Sequence, residues 1–249
     1  MQKFQLELWF QIIGIGSASG LLFKNDALFI ISDNSKALYE YSMTGKKLDA
    51  HLLIENTELP QDNIPKKLKP DFESITAYGE DVCVFGSGST ENRNKMVQFN
   101  TFNKKAVKTF DLADLYLSMQ YFADIKSEDF NIEGAIYTGD VWYFFQRGNG
   151  ANGQNGVFTV TAENLENEFT ILYNSYKLPK IKGVQTSFTD AILVDDTIYF
   201  LATAENSNST YQDGEVLGSL IGSIKTDSMK LKLKQTITNK HKFEGLTLF

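Results

Sequence analysis

The sequence FESITAYGEDVCVFGSGS at residues 72–89 decides the fold. A short apolar stretch that carries Glu73 leads into a tight turn at 79–81, a strongly apolar run at 82–85 and a loop of Gly and Ser. Gly and Asp tolerate positive φ, so a turn of this kind between two apolar runs is typical of an antiparallel β-hairpin. We therefore expect two neighbouring strands here, with Glu73 near the start of the first.

The same pattern recurs along the chain with a period of 54 to 60 residues. One residue in each copy serves as its anchor, and the five copies begin near residues 17, 71, 131, 187 and 242. A hairpin followed by one or two further strands, repeated at this period, predicts a β-propeller of four-stranded blades. A β-sandwich whose hairpins resemble one another is the alternative. The anchors are Ser19, Glu73, Glu133, Thr189 and Glu244.

The number of copies indicates an all-β, five-bladed propeller in which residues 1–249 form a single domain. The fifth copy is short, because only 243–249 and the first 18 residues are left for it. Either this blade is reduced, with the N-terminal run at 4–13 joining the C-terminal strand to cover its edge, or the chain continues beyond Phe249. One short helix is expected near 111–122, where apolar residues follow helical spacing and Asp111 can cap the first turn.

Composition excludes several classes of partner. Asp and Glu number 31 against 24 Lys and Arg, and a net charge of −7 repels a nucleic-acid backbone. No window approaches the roughly 18 apolar residues of a membrane span, and the N-terminus lacks the pattern of a signal peptide. The single cysteine, Cys83, offers no internal disulfide. We expect a soluble cytoplasmic protein that binds neither nucleic acid nor membrane.

The anchors suggest a metal site. The first strand of each propeller unit is the innermost one, so the five anchors should surround the central channel. Three carboxylates at close range repel one another unless a cation lies between them or their pKa values rise. Oxygen ligands without His or Cys suit Ca²⁺, with Mg²⁺ or Na⁺ as alternatives. Two further alternatives are glutamates that protonate and bond one another, and a water-filled channel without a fixed ion.

At these residues the chain resembles the calcium-activated nucleotidases, or apyrases. The resemblance implies a five-bladed propeller that holds Ca²⁺ in its central tunnel through Ser and Glu side chains and cleaves nucleoside diphosphates. The chain is also similar to a group of bacterial propellers with signatures like those at 132–134, 188–191 and 213–214. The matching segments are Ser19-Gly20-Leu21 with Ser32-Asp33-Asn34, Phe72-Glu73-Ser74, Ile132-Glu133-Gly134 with Tyr143-Phe144-Phe145-Gln146-Arg147, Phe188-Thr189-Asp190, and Lys242-Phe243-Glu244-Gly245-Leu246.

The resemblance also assigns residues and shows where the chain departs from the pattern. All five anchors match metal-ligand positions, although Thr189 stands where apyrases use Ser. Apyrases carry successive acidic residues after the second strand of the first unit, whereas here Asn34 follows Asp33. The catalytic candidates are Asp33, Arg147 and Glu205. The candidates for ligand binding, on loops that follow the second strand of a unit, are Asn34, Ser87, Arg93 and Asn149.

Two functions are compatible with these residues. The first is a non-catalytic propeller in which a central cation holds the blades together and a small anionic or phosphorylated ligand, or a protein partner, binds. The second is a Ca²⁺-dependent, apyrase-like phosphohydrolase or related phosphoesterase, in which a loop carboxylate positions water and arginines contact phosphate. We favour the first, because the acids expected at an active site are fewer than the residues expected at the metal site.

Overall fold

A computed structural model describes residues 3–207 and 214–249, and Asp213 of the last bacterial signature lies outside them. The described chain forms four antiparallel sheets in sequence order. The first sheet contains β1 (Ala18–Lys24), β2 (Ala27–Ser32), β3 (Ala37–Ser42) and β4 (Lys47–Leu52). The second contains β5 (Phe72–Tyr78), β6 (Asp81–Gly86), β7 (Lys95–Asn100) and β8 (Lys105–Asp111).

The third and fourth sheets follow the same plan. The third contains β9 (Ile132–Tyr137), β10 (Val141–Gln146), β11 (Asn155–Asn164) and β12 (Glu168–Tyr176). The fourth contains a two-residue strand β13 (Lys180–Ile181), then β14 (Val184–Val194), β15 (Thr197–Asn206), β16 (Glu215–Lys225) and β17 (Lys230–Thr238). In every sheet, strands adjacent in sequence are adjacent in space, as propeller blades require.

The four sheets are arranged around a common axis. The first long strands of successive sheets, β1, β5, β9 and β14, pack against one another in turn, which makes them the innermost strands. Apolar residues of the second strands, such as Phe29, Val84, Phe144 and Phe200, are buried between neighbouring sheets. The β-propeller predicted from the repeats is confirmed.

The prediction of five blades is wrong, because the described residues form four. Residues 243–248 run between β14 and β1 but are not assigned to a strand. Leu246 donates its N–H to Asp190 of β14 (2.7 Å), and Thr247 accepts a hydrogen bond from the N–H of Phe23 of β1 (2.7 Å). The C-terminal copy therefore contributes one inner segment and no sheet.

The N-terminal run does not complete a fifth sheet either. Both backbone polar groups of Phe4 bond to the side-chain amide of Gln235 in β17, and Trp9 packs edge-on against Phe249 with ring centroids 4.8 Å apart. These are side-chain contacts, and no strand is assigned in residues 3–17. A four-stranded blade needs ladder pairing that this run does not provide. It covers the seam between the first and fourth sheets instead.

The predicted helix is confirmed as α1 (Ala113–Ala123), which follows β8. Leu115, Tyr116 and Met119 are buried, and the Tyr116 hydroxyl donates to the carbonyl of Gly86 (2.9 Å). Asp111 accepts a hydrogen bond from the N–H of Ala113 (3.0 Å), but the N-cap position is occupied by Leu112, so Asp111 is not the capping residue that the sequence predicted. Within residues 3–207 and 214–249, no helix is both long enough and apolar enough to cross a membrane.

Candidate functional site

The anchors on the four innermost strands all lie at β-bulges. In β5, Phe72 pairs with Gly86 and Ser74 pairs with Phe85, so Glu73 is an extra residue in the ladder. Ser19, Glu133 and Thr189 are extra residues in the same place on their strands. A bulge changes the direction of a side chain and increases the local twist. The repeat thus places an irregular residue near the start of β1, β5 and β9 and in the middle of the longer β14.

A polar cavity of about 190 Å³ lies where these bulges converge. Its walls carry six carboxylates and five basic side chains. Of the five anchors, Thr189 alone does not line it; of the other candidates, Asn34 and Ser87 do not. The lining residues are Ser17, Ser19, Asp33, Lys66, Lys69, Asp71, Glu73, Arg93, Asn131, Glu133, Arg147, Asn149, Glu205, Lys242 and Glu244.

The two hydroxyl anchors are used to connect segments around the ring. Ser19 donates to the carbonyl of Phe72 (2.6 Å), which links the first blade to the second. Thr189 is fully buried and donates to the carbonyl of Phe243 (2.7 Å), which links the fourth blade to the C-terminal segment. Both hydroxyl protons are therefore used within the protein, and only the lone pairs of the two oxygens remain to accept a hydrogen bond or bind a cation.

Glu133 and Arg147 form a buried ion pair across the third blade. Arg147 Nη1 lies 2.8 Å from Glu133 Oε1, and Arg147 also pairs with Glu205 of β15. Burial opposes the charge on Arg147, but the two glutamates outweigh burial and raise the pKa of its guanidinium. Asn131 donates to the same Oε1 atom (2.7 Å). Glu133 Oε2, by contrast, is buried with no hydrogen-bond partner among the described residues.

Glu73 is a buried carboxylate without a cation partner. It is 9% exposed, and it has no hydrogen bond or ion pair to any side chain in the described part of the chain. Burial raises the pKa of Glu73 well above its ordinary value, and the negative charges of Glu133, Asp71 and Asp33 raise it further. This carboxylate therefore favours either a proton or a cation beside it.

Asp71 and Lys69 belong to the cavity and were not predicted. Lys69 pairs with Asp33 and with Asp71 Oδ1 (2.6 Å), while Asp71 Oδ2 accepts from Arg93 Nη1 (2.7 Å) and from Ser87 Oγ (2.5 Å). Burial opposes the charge on Lys69, but Asp71 and Asp33 outweigh it and raise the pKa of the ammonium. Asp71 adopts a positive φ of 54°. The signal that could have found Asp71 is its place two residues before an anchor, which other cavity residues share in their copies: Ser17, Asn131 and Lys242.

The C-terminal segment adds a further pair, Lys242 and Glu244, which face the cavity with side chains 21% and 24% exposed. Burial raises the pKa of Glu244, and Glu133 adds to the effect while Lys242 opposes it. Burial and Arg147 oppose the charge on Lys242, yet its pKa is raised because Glu244, Glu133 and Glu205 lie nearby. This pair takes the anchor position of the fifth copy.

The candidates for ligand binding differ in their surroundings. Asn149 lines the cavity, and its Oδ1 atom is buried with no partner among the residues described. Arg93 also lines it, with an unpaired Nε atom. Ser87 is fully buried beside Asp71, and the amide nitrogen of Asn34 lies 3.3 Å from the hydroxyl of Ser17.

The unpaired atoms around this cavity are mostly acceptors. Among the described residues of its walls, three oxygens lack partners, those of Asp33, Glu133 and Asn149, against one donor nitrogen, that of Arg93. Within residues 3–207 and 214–249, one group of three acidic side chains has carboxylate oxygens within 4.8 Å of one another: Asp33, Asp71 and Glu73. Carboxylate and amide oxygens without His or Cys suit a hard cation such as Ca²⁺.

A family described as being of unknown function (DUF6929) matches residues 14–248. The chain belongs to this family. The match spans all four blades and the cavity residues contributed by the C-terminal segment, and with the strand pairing above it supports a β-propeller family. The apyrase resemblance and a bacterial origin stay predictions. No relative is found among curated proteins.

Several solved structures are similar to the chain at low identity. A nidogen/laminin complex aligns at 10% identity over 92% of this chain and 84% of the matched chain, with a TM-score of 0.47. The WD40 repeats of RRP9 align at 9% identity over 93% and 83%, with a TM-score of 0.45. Hydrazine synthase from Kuenenia stuttgartiensis aligns at 10% identity over 92% of this chain, with a TM-score of 0.46, and the chain spans 53% of its length.

Proposed function

We propose that this protein is a non-catalytic β-propeller whose axial cavity binds a divalent cation, with Ca²⁺ the best candidate. The observation that carries the proposal is Glu73, a buried carboxylate that faces other carboxylates and forms no ion pair with any of the residues that the structure describes. The unpaired Glu133 Oε2 is a second buried acceptor in the same wall. A cation between these side chains would remove the repulsion that raises the pKa of Glu73.

Two groups of carboxylates could hold such an ion, and Glu73 belongs to both. On one side are Asp33 and Asp71, which together with Glu73 form the closest acidic group. On the other side are Glu133 and, from the same cavity wall, Glu244. Lys69 already pairs with Asp33 and Asp71, and Arg147 pairs with one oxygen of Glu133, so Glu73 has the greatest need for added positive charge. Ser19 and Asn149 supply further oxygens.

A small anionic ligand is a weaker part of the proposal. Lys69, Arg93, Arg147 and Lys242 each pair with a carboxylate, so an anion that binds to these four cations would have to displace their pairs or join the bound cation. The same pairs are the reason that we do not propose hydrolysis. Of the catalytic candidates, Arg147 and Glu205 bind each other and Asp33 binds Lys69. A cytoplasmic location stays a prediction.

The proposal is tested by titrating calcium into the wild-type protein and two variants. Isothermal calorimetry measures binding, and thermal unfolding measures the change in Tm. Glu73→Gln removes the unpaired carboxylate, and Glu80→Gln is a matched control at an exposed turn position. A ligand present at about 100 times its Kd stabilises a protein by about 2.7 kcal/mol. In a chain of this size that corresponds to a rise in Tm of about 5–10 °C.

We expect this rise for the wild-type protein and for Glu80→Gln, and its loss for Glu73→Gln. Titrations with Mg²⁺ and Na⁺ rank the alternative ions. Absence of calorimetric binding to the wild-type protein at millimolar Ca²⁺, Mg²⁺ and Na⁺ would overturn the cation site. Equal binding by Glu73→Gln would place the ion elsewhere in the molecule. Release of phosphate from ADP, UDP or GDP in the presence of Ca²⁺ would contradict the non-catalytic function.

A further inference from the structure

A second cavity lies at the seam where the fifth blade is missing. It measures about 400 Å³, within the range of about 300–1,000 Å³ that is typical of small-molecule sites. One wall is formed by β1 and β2, including Leu21, Leu28 and Ile30, and the opposite wall by Phe243 and Gly245. The cover is formed by apolar residues of the N-terminal run. We call this cavity the seam pocket.

The seam pocket follows from the architecture of the four blades. Between the other innermost strands, whole sheets face each other and their buried apolar side chains pack together. Between β14 and β1 there is only the C-terminal segment at 243–248, which has no sheet behind it. The N-terminal run covers this segment. Phe10 stacks on Tyr41 of β3 at a centroid distance of 5.6 Å, which holds this cover over the first blade. The remaining space is predominantly apolar.

The polar end of the seam pocket adjoins the axial cavity. Lys242 and Glu244 line both spaces, and Ala18 of the seam pocket is adjacent in sequence to Ser17 and Ser19 of the axial cavity. A molecule in the seam pocket therefore has an apolar body next to Leu21 and Phe243 and one end near the carboxylates of the axis. The axial walls contain one more carboxylate than basic side chains, and most of their unpaired atoms are acceptors.

We infer that the seam pocket binds the hydrocarbon part of an amphipathic primary amine whose ammonium group reaches Glu244 and the acidic axial cavity. Glu244 is paired with Lys242, so the charge complementarity that selects the head group comes from the unpaired oxygens of Asp33 and Glu133 in the axial cavity, to which an ammonium donates and a carboxylate does not. The apolar walls select a ligand with a hydrocarbon chain. This inference rests on the proposed function in one respect, since the amine and the metal ion would compete for carboxylates of the same cavity.

The test is a calorimetric titration with butylamine, hexylamine and octylamine in buffer that contains EDTA. Burial of one methylene group contributes about 0.8 kcal/mol, which corresponds to about a fourfold change in Kd. We expect the Kd to fall by roughly that factor for each added methylene until the pocket is filled. Octanoate and octanol have the same chain length with an anionic or a neutral head, and both should bind more weakly than octylamine.

Ala18→Phe places an aromatic ring in the seam pocket from an exposed strand position. Ala106→Phe makes the same change at an exposed position of β8, away from both cavities. We expect at least a tenfold loss of octylamine affinity in Ala18→Phe and none in Ala106→Phe. Both variants should still bind calcium when it is measured without EDTA. In the wild-type protein, calcium should weaken the binding of octylamine.

The outcomes separate the two proposals. Unchanged octylamine affinity in Ala18→Phe, or a Kd that does not depend on chain length, would overturn the seam pocket whether or not calcium binds. Tighter binding of octanoate than of octylamine would overturn the head group. Chain-dependent amine binding together with no metal binding by the wild-type protein would support the seam pocket and contradict the cation site alone.

Discussion

At the scale of single residues, the energetics of the cavity centre on Glu73. Its carboxylate is buried beside Asp33, Asp71 and Glu133, and the ammonium of Lys69 binds the two aspartates. The folded protein therefore holds a proton on Glu73 at pH values where the unfolded chain has lost it. A carboxylate with a raised pKa in the folded state lowers stability as pH rises through the interval between its unfolded and folded pKa values.

The first prediction concerns Glu73→Gln in the absence of divalent cations. Gln cannot ionise, so the variant avoids the cost that Glu73 imposes above its ordinary pKa near 4.5. We expect the Tm of the variant to exceed that of the wild-type protein at pH 7–8, and the difference to shrink as the pH falls toward 4.5. Thermal unfolding in EDTA across this pH range measures it, with Glu80→Gln as control. A Glu73→Gln protein that is less stable than wild type at neutral pH would contradict the prediction.

The residues that the sequence predicted and those that it missed differ in one respect. Glu73 and Glu133 recur at a fixed period, and the bulge that directs them into the cavity recurs with them. Lys69 comes from the loop that joins the first and second blades and has no counterpart among the cavity residues at that period. The place of Asp71, two residues before its anchor, does recur, but with a different residue type each time: Ser17, Asn131 and Lys242. Their role depends on pairing with Asp33 and Arg93, which tertiary structure alone brings together.

At the scale of elements, Arg147 couples two blades. It follows the second strand of the third blade and pairs with Glu133 on the innermost strand of that blade and with Glu205 in the fourth blade. All three side chains are less than a tenth exposed. Removing one partner of a buried ion pair is more costly than removing both, because an uncompensated charge remains.

The second prediction follows from this coupling. Arg147→Met should lower the free energy of unfolding by about 3–5 kcal/mol, since it leaves Glu133 and Glu205 without their shared partner. The double variant Arg147→Met with Glu205→Gln should recover part of that loss. Lys108→Met, which removes a surface pair with Glu166, should change stability by less than about 1 kcal/mol. Urea unfolding measures all three, and equal losses for Arg147→Met and Lys108→Met would contradict the role of the buried pair.

Blade positions could be predicted from the sequence, whereas their number could not. The apolar runs and turns of the first four copies contain enough strand-forming residues to pair locally, and β1, β5, β9 and β14 begin close to the predicted starts. The fifth copy has the anchor motif without the strands that a sheet requires. Whether the N-terminal run supplies them depends on contacts between residues more than 200 positions apart, such as Phe4 and Gln235, and local pattern does not encode these.

At the scale of the whole molecule, the ring is closed by hydrogen bonds to the C-terminal segment. Asp190 accepts from the N–H of Leu246 (2.7 Å) and from that of Ala191 (2.8 Å), and it is 2% exposed. Burial raises the pKa of Asp190, and the two hydrogen bonds oppose that effect. Thr189 and Phe23 add bonds to the same segment. Glu244 and Lys242 reach both cavities only while this segment is held in place.

The third prediction is that Asp190→Ala loosens the closure and, through it, both cavities. A buried N–H left without its acceptor costs about 1–3 kcal/mol, and the N–H of Ala191 would be in that state, while the part-buried N–H of Leu246 would also lose its acceptor. We expect faster hydrogen exchange at 243–249 and weaker binding of octylamine and of calcium, while the strands of the second blade keep their protection. Asp140→Ala, at an exposed turn, is the matched control and should leave exchange at 243–249 unchanged. If Asp190→Ala left the exchange of this segment as slow as in the wild-type protein, Asp190 would not be what closes the ring, and the covering N-terminal run would have to hold the segment in place.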